Sequence, residues 1–415
     1  VRLPSTYPYD YLLNESYSLL ARLGQVKPFT MTMPMVKAAS VSDKAVKEIT
    51  VLLEKGKKEL RDKIHRYIHI VRKAKTGGGD VGELQSGFTI LKLRFNSILS
   101  ELDIFALVFT QRSEYDVGIW TSALDVLAED GLRVVKDFAA LPQLIVYLDK
   151  GHGAAIRRAR TRLPGGDMNP VGVIQIPRER MIGSGIASSL IHEVGHQGAA
   201  LLDLVSSLGW RMAARKGRDP VAWGCFERWI SEIIADVWAM GHLGITATLG
   251  LMGVLTLPDY FQFRVDLHDP HPAPYVRVML SCAFGKKLFP HEQWDRLWGL
   301  WKIFYPRTGI RQDILQVIEA IEREMHPFIE LVLHHRSKEL KGKRLLDLFP
   351  LEERQPARLR QYYRSWQDNN LNIYALSPTL VFAIMGQAKS DLVITAADEN
   401  DILTRVLRYW AFTRN

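Results

Sequence analysis

The chain has 415 residues, of which 47% are hydrophobic and 24% charged, and its formal net charge is +9. These proportions are those of a soluble globular protein with a substantial core, and they exclude a disordered chain. The charge is modest for the length, and the basic clusters at 55–63, 157–162, 211–218 and 336–344 are interspersed with acids, so they read as solvated helix faces and no nucleic-acid partner is expected.

Cys225 and Cys282 are too few for a disulfide framework, although one bridge between them stays open. A reducing, cytoplasmic location is the expectation. No leader pattern stands at the start, and because residue 1 is Val the natural start is expected to lie upstream.

Residues 1–40 read as irregular, with prolines at 4, 8, 28 and 34 and a short helix near 11–23. Apolar residues then recur at threes and fours from Val46 to Tyr67, which predicts a helix over about 42–75 with Ser42 as its N-cap. Gly77-Gly78-Gly79-Asp80 ends it, and no Gly-Lys-Ser/Thr follows to make a phosphate loop. Helices are expected over about 82–110 and 118–141. His65 and His69 share a helix face, but with no nearby acid or third ligand they read as structural or surface residues.

Leu144–Leu148 and Val171–Pro177 are apolar, β-branched runs bounded by turn residues, and read as strands. A helix follows from Ser184 or Ser188 to about Leu208. It carries His192-Glu193-Val194-Gly195-His196. On a helix, positions i and i+4 lie on one face about 6 Å apart, so two imidazoles can be aimed at one ion, and zinc suits imidazole nitrogen. Glu193 sits roughly 100° round the helix, where it can reach a water without being a ligand. The pattern alone is short enough to arise by chance.

A second helix, about 222–241, carries Glu232 and Asp236, again at i and i+4, among Ile233, Ile234, Val237 and Trp238. Carboxylates in such a setting are costly unless they are used. Glu232 is the candidate third metal ligand. Asp236 is the candidate acceptor for the outer N–H of a ligand histidine. Met240–Leu257 is apolar and reads as a buried core helix, since it lacks an aromatic belt and basic flanks. The Pro-rich segment 259–277 offers His268, His271, Tyr260, Tyr275 and Arg277 as donors to an oxyanion, the alternative being a plain surface loop. From 276 onward the chain reads as helical, with candidate elements at 276–288, 292–304, 310–333, 356–366, 377–385 and 399–412.

His-Glu-x-x-His followed by Glu-x-x-x-Asp resembles the gluzincin group of zinc metallopeptidases. The wording HEVGH, then E-x-x-A-D, then His271-Pro272 with Arg277 six positions on, is most similar to the CAAX-prenyl and HtpX-type peptidases. The resemblance covers about residues 184 to 280. It departs from those peptidases in having no convincing membrane span, so no membrane association is expected. It singles out His271 and Arg277 as catalytic residues beside Glu193. It also implies that the strand at 171–176 forms the cleft edge to which a peptide adds, with Gly172 allowing close backbone approach.

The expected fold class is α+β, predominantly helical. A zincin-like catalytic part with a small sheet, 142–305, lies between helical regions at 1–141 and 306–415. The expected function is that of a zinc-dependent peptidase acting on a peptide or protein substrate, with zinc on His192, His196 and Glu232 and with Glu193 as general base. Two alternatives stay open: hydrolysis of a small amide or ester at the same zinc, and a non-catalytic helical protein with a structural zinc site.

Overall fold

The long periodic runs become helices, and the caps the sequence supplies are where those helices begin. The computed structural model describes residues 5–151, 153–178, 183–215, 217–266 and 269–414. The chain divides into two compact units: residues up to Ile119 together with Ala159–Val171, and Trp120–Arg158 together with Gly172 onward.

The first unit contains α1 (Tyr7–Gln25), the short α2 (Phe29–Thr32), α3 (Asp43–Gly77) and α4 (Val81–Arg112). Ser42 caps α3 by accepting from the Ala45 N–H at 3.3 Å. Gly78, in the left-handed conformation (φ 73), ends it. Asp80 then caps α4 by accepting from the Gly82 N–H at 2.7 Å. Leu60, Ile64 and Val71 of α3 meet Phe88, Leu91 and Phe95 of α4 and Leu12 and Leu19 of α1 in one apolar core. The segment 159–171 is held on α4, with Ser97 Oγ donating to Pro164 O at 2.8 Å.

The second unit takes over within α5 (Tyr115–Leu132), which ends nine residues before the expected Leu141, in a turn of 3₁₀ helix at Arg133–Val135. β1 (Leu144–Asp149), β2 (Ala155–Arg157) and β3 (Gly172–Pro177) follow. β1 pairs parallel with β3, Leu144 opposite Gly172, and β2 pairs antiparallel on the other side, Ile156 opposite Ile174. The order is β1-β3-β2. The strand expected at the cleft edge is therefore the middle strand. Gly172 admits not a ligand but Leu144, whose Cδ2 lies 2.5 Å from where a Cβ would stand. Three residues without a long alternating run gave β2 no sequence signal, and the Arg157–Arg162 cluster lies at its end and beyond rather than on a helix face.

α6 (Gly185–Leu201) is shorter than expected, because Asp203 takes a left-handed conformation (φ 47) and starts a separate α7 (Leu204–Ala213). α8 (Pro220–Leu243) is capped by Asp219, which accepts from Val221 N–H and Ala222 N–H. The apolar span at 240–257 is broken at Gly244 (φ 56, ψ −133), which separates α8 from α9 (Ile245–Leu255). α9 is short and largely buried, as a core helix. No described helix is long and apolar enough to cross a membrane.

The remainder is α10 (Asp259–Gln262), α11 (Pro274–Leu288), α12 (Gln293–Phe304), α13 (Gln312–Leu333), α14 (Pro356–Gln367), α15 (Pro378–Ser390) and α16 (Ala396–Thr413). The class is α+β and mostly helical, with one small sheet. The expected boundary at 305/306 lies inside the second unit, where α13 packs on α8 and α15 packs on α8 and α9. Arg414 closes this unit by pairing with Asp125 at 2.7 Å and Glu129 at 2.8 Å.

Candidate metal centre

The site is made by two helices that approach unusually closely. A Cβ at Gly195 of α6 would stand 2.7 Å from Trp238 Cβ and 2.9 Å from Ala235 Cα of α8, and one at Gly198 would stand 2.5 Å from the Trp238 ring. Glycine at 195 is thus what lets the α6 backbone lie against α8. The indole of Trp238 is held from behind by donating to Gly131 O at 3.0 Å. With the axes this near, His192 and His196 on one helix meet Glu232 and Asp236 on the other.

His192 Nε2 lies 3.3 Å from Glu232 Oε2, and His196 Nε2 lies 3.4 Å from Glu232 Oε1. The two imidazoles stand edge to face with centroids 4.9 Å apart. One donor atom from each of His192, His196 and Glu232 lies within 4.8 Å of the others, and this is the only such cluster among the described residues. Tetrahedral zinc with ligands at about 2.0–2.2 Å holds its donor atoms about 3.3 Å apart. The two observed nitrogen–oxygen distances, each to a different oxygen of Glu232, are close to that spacing, and two imidazoles with one carboxylate are a donor set zinc accepts. The residues fit the metal.

The outer nitrogens are engaged. His192 Nδ1 donates to Asp236 Oδ1 at 2.8 Å, which leaves Nε2 facing Glu232. His196 Nδ1 lies 3.4 Å from Ser231 Oγ, a partner the sequence reading missed although it adjoins Glu232. Asp236 is fixed in turn by Arg277, whose Nε donates to Oδ2 at 2.7 Å and whose Nη2 donates to Oδ1 at 2.8 Å. This is the bidentate fork a guanidinium makes with a carboxylate. Arg277 also reaches Glu232 Oε2 at 3.4 Å.

These charges set one another's protonation in the metal-free protein. Burial works against a charge on His192, yet Asp236 and Glu232 outweigh it and push its pKa up to about 9. Burial and the neighbouring His192 push His196 down to about 4. Burial opposes the charge of Glu232 too, but His192 and Arg277 bring it down to about 2. Asp236 is lowered further: burial works against its charge, and Arg277 and His192 overcome it. Glu193 moves the other way. It is 6% exposed, and burial followed by the nearby Glu232 raises it. A carboxyl raised towards neutrality by its site is what proton transfer needs.

His271 reaches the same centre from the loop before α11. Its Nε2 lies 3.5 Å from Glu232 Oε2, and its Nδ1 donates to Asp269 Oδ1 at 2.7 Å. Asp269, two residues away, also accepts from the His271 backbone N–H at 2.9 Å and so fixes the ring; the sequence reading had not singled it out. Of the other donors considered in this segment, Tyr275 is buried and its Oη accepts from Arg307 Nε at 3.0 Å, so it does not face the site. Tyr260 is exposed and lines a different cavity. His268 lies outside the described residues.

A cavity of about 610 Å³ opens over the cluster. It is lined by His192, Glu193, His196, Glu232, His271 and Arg277, by Ser188, Ser189, Leu251 and Val254, and by Gly153–Ile156 with Arg158. β2, an edge strand of the sheet, is therefore one wall of the site. Cys225 and Cys282 are both free and buried, and neither belongs to the cluster. Comparison with protein families, curated proteins and solved structures finds no match for this chain.

Proposed function

We propose that the chain is a zinc-dependent hydrolase of peptide bonds, built on a zincin-like arrangement of α6, α8 and the sheet and working in a reducing, cytoplasmic setting. One observation carries the reading: three zinc-type donor atoms converge within 4.8 Å at the floor of a cavity that also holds a buried carboxyl of raised pKa. A purely structural zinc site is normally closed by a fourth protein ligand, whereas this one faces an open cavity.

His192, His196 and Glu232 would hold the ion. Bound zinc supplies a Lewis acid and makes water nucleophilic near neutral pH. Glu193 takes the proton of the attacking water and delivers it to the leaving nitrogen, so one group serves as base and then as acid. His271 aims Nε2 into the cavity while Asp269 holds Nδ1, so with a proton on each ring nitrogen it would donate from Nε2 to the carbonyl oxygen as negative charge develops there. Arg277 acts one step back, since both ends of its fork are on Asp236. It fixes Asp236, which fixes His192, and it also lines the cavity in which an oxyanion role was expected of it.

The peptide reading draws on β2. Ala155 and Arg157 of this edge strand are exposed, and Ala155 and Ile156 line the cavity. A polypeptide can pair with such an edge through its main chain. The second reading, a small amide or ester, is favoured by the volume alone, because about 610 Å³ is within the usual range for small-molecule sites.

Metal content tests the centre, and a peptide library tests the substrate. Wild-type protein purified without chelator is expected to carry about one zinc per chain, and His196→Ala to carry none. Glu193→Gln is expected to keep its zinc and lose peptide hydrolysis by about 10²-fold or more. Normal turnover by Glu193→Gln would remove it as the base. Hydrolysis of small esters with no peptide cleaved would favour the second reading.

A further inference from the structure

The largest cavity described is not the one over the metal cluster. It is a groove of about 1330 Å³, bounded by the first turns of α8, by residues 259–265 and by residues 306–317. One of these walls, α8, runs on into the candidate metal centre. On α8, Gly224, Arg228 and Glu232 follow one another at spacings of four, so they share a helix face, and Ser231 lies three residues beyond Arg228. Gly224 and Arg228 line the groove, and Ser231 and Glu232 line the metal cavity.

The groove has apolar walls and balanced charge. Phe263, Val265, Ile310, Ile314 and Val317 line it half-buried, and Tyr260 lies at 76% exposure on its rim. The ionic side chains number three acids, Glu227, Asp259 and Asp313, against three arginines, Arg228, Arg264 and Arg311. Arg311 Nε pairs with Asp313 at 3.1 Å, and Arg264 pairs with Asp266 at 3.4 Å. Such a surface has no field for a polyanion. It suits neutral, apolar side chains. Its volume also exceeds the ~300–1,000 Å³ of ordinary small-molecule sites.

Distance along α8 sets the register. Glu232 lies eight residues from Gly224 and eleven from Val221, about 12–16 Å at the helical rise. An extended polypeptide covers this in about four to five residues. Resting on the peptidase reading above, we infer that the groove receives the substrate chain beyond the metal cavity and selects apolar side chains four to five residues from the scissile bond. Gly224 is the position that tests this. A Cβ there meets nothing within 4 Å, so a large side chain would fill the groove without disturbing the core.

The experiment uses the full-length, zinc-loaded protein with three internally quenched peptides sharing the best central hexamer from a library screen. One is the hexamer alone, one a dodecamer with Leu at the fourth and fifth positions on either side of the bond, and one the same dodecamer with Ser there. The Leu dodecamer is expected to show kcat/KM at least about tenfold above the other two. Gly224→Trp is expected to bring the ratio of Leu to Ser dodecamer to about one. Ile314→Arg, on the opposite wall, is expected to do the same and covers failure of the first variant to fold. Equal turnover of Leu and Ser dodecamers by wild type, or an unchanged ratio in both variants, would overturn the inference.

Binding separates this outcome from the fate of the peptidase reading. Fluorescence anisotropy of the labelled Leu dodecamer on Glu193→Gln, with and without Gly224→Trp, reports the groove even if no peptide is cleaved. Loss of binding with Gly224→Trp upholds the groove as a polypeptide site. Unchanged binding removes it whether or not the protein is a peptidase.

Discussion

Two pairs of histidines in this chain have the same i, i+4 spacing on a helix. His65 and His69 lie on α3 of the first unit, and His192 and His196 lie on α6 of the second. The first pair is exposed. The second lines a cavity, with every ring nitrogen within 3.4 Å of a carboxylate or hydroxyl oxygen. The spacing is therefore necessary for a metal pair and says little by itself. What separates the two pairs is a second helix bearing acids, brought close by a glycine. Burial then makes the interactions strong, because the charges of His192, Asp236 and Arg277 are removed from water and must satisfy one another.

The largest effect on zinc should come from undoing that approach while leaving every ligand in place. Gly195→Val is expected to abolish zinc binding and to destabilise the fold by about 1–3 kcal/mol, since its side chain would overlap Trp238 and Ala235. Zinc content after gel filtration and a urea melt measure both. Full zinc occupancy in this variant would show that the helix spacing is not what forms the site.

A smaller effect on zinc should follow from Asp236→Asn, which keeps the shape and removes the charge behind His192. Zinc affinity is expected to fall about 10–100-fold. The metal-free protein is expected to lose about 3–5 kcal/mol, because Arg277 is left buried without its main partner. The pH profile sharpens the test. In the metal-free wild type the His192 pKa is raised, to about 9. The stability this contributes is fully present below the ordinary histidine value of about 6.5 and is lost as pH rises through about 9. Zinc requires the neutral ring, so wild-type affinity should climb up to about tenfold per pH unit until about pH 9. With Asp236→Asn the climb should level off at lower pH, because burial is no longer opposed by that carboxylate. A chelator-dye titration from pH 6 to 9.5 gives both curves, and identical profiles would separate Asp236 from His192.

The parts of this site that could be read from sequence are those fixed by one helix at a time. The 3.6-residue repeat places His192 with His196 and Glu232 with Asp236, whatever the rest of the chain does. The same local logic put the N-cap of α3 at Ser42 and ended that helix at the glycine run. Features set by packing were not legible. β2 is three residues long and is a strand only because β3 lies beside it. The breaks at Asp203 and Gly244 divide runs whose local composition continues the helix. Arg277 was found by its motif, but its role depends on the acid it faces across forty-one residues. Ser231 and Asp269 were within sight, each one or two residues from a residue already singled out, and were missed because hydroxyls and loop acids are common.

The smallest expected effect belongs to the other histidine pair, and it tests whether spacing carries any affinity of its own. His65 and His69 together can offer two imidazoles but no convergent carboxylate, and the only three-ligand cluster among the described residues is the one on α6 and α8. His65→Ala with His69→Ala should leave zinc stoichiometry and peptide turnover unchanged. Stability should change by less than about 0.5 kcal/mol for each substitution, as expected of exposed side chains with no special role. A second zinc per chain in the wild type that vanishes in this double variant would mean that α3 recruits a ligand from elsewhere, and the contrast between the two pairs would then have to be drawn on affinity instead of on presence.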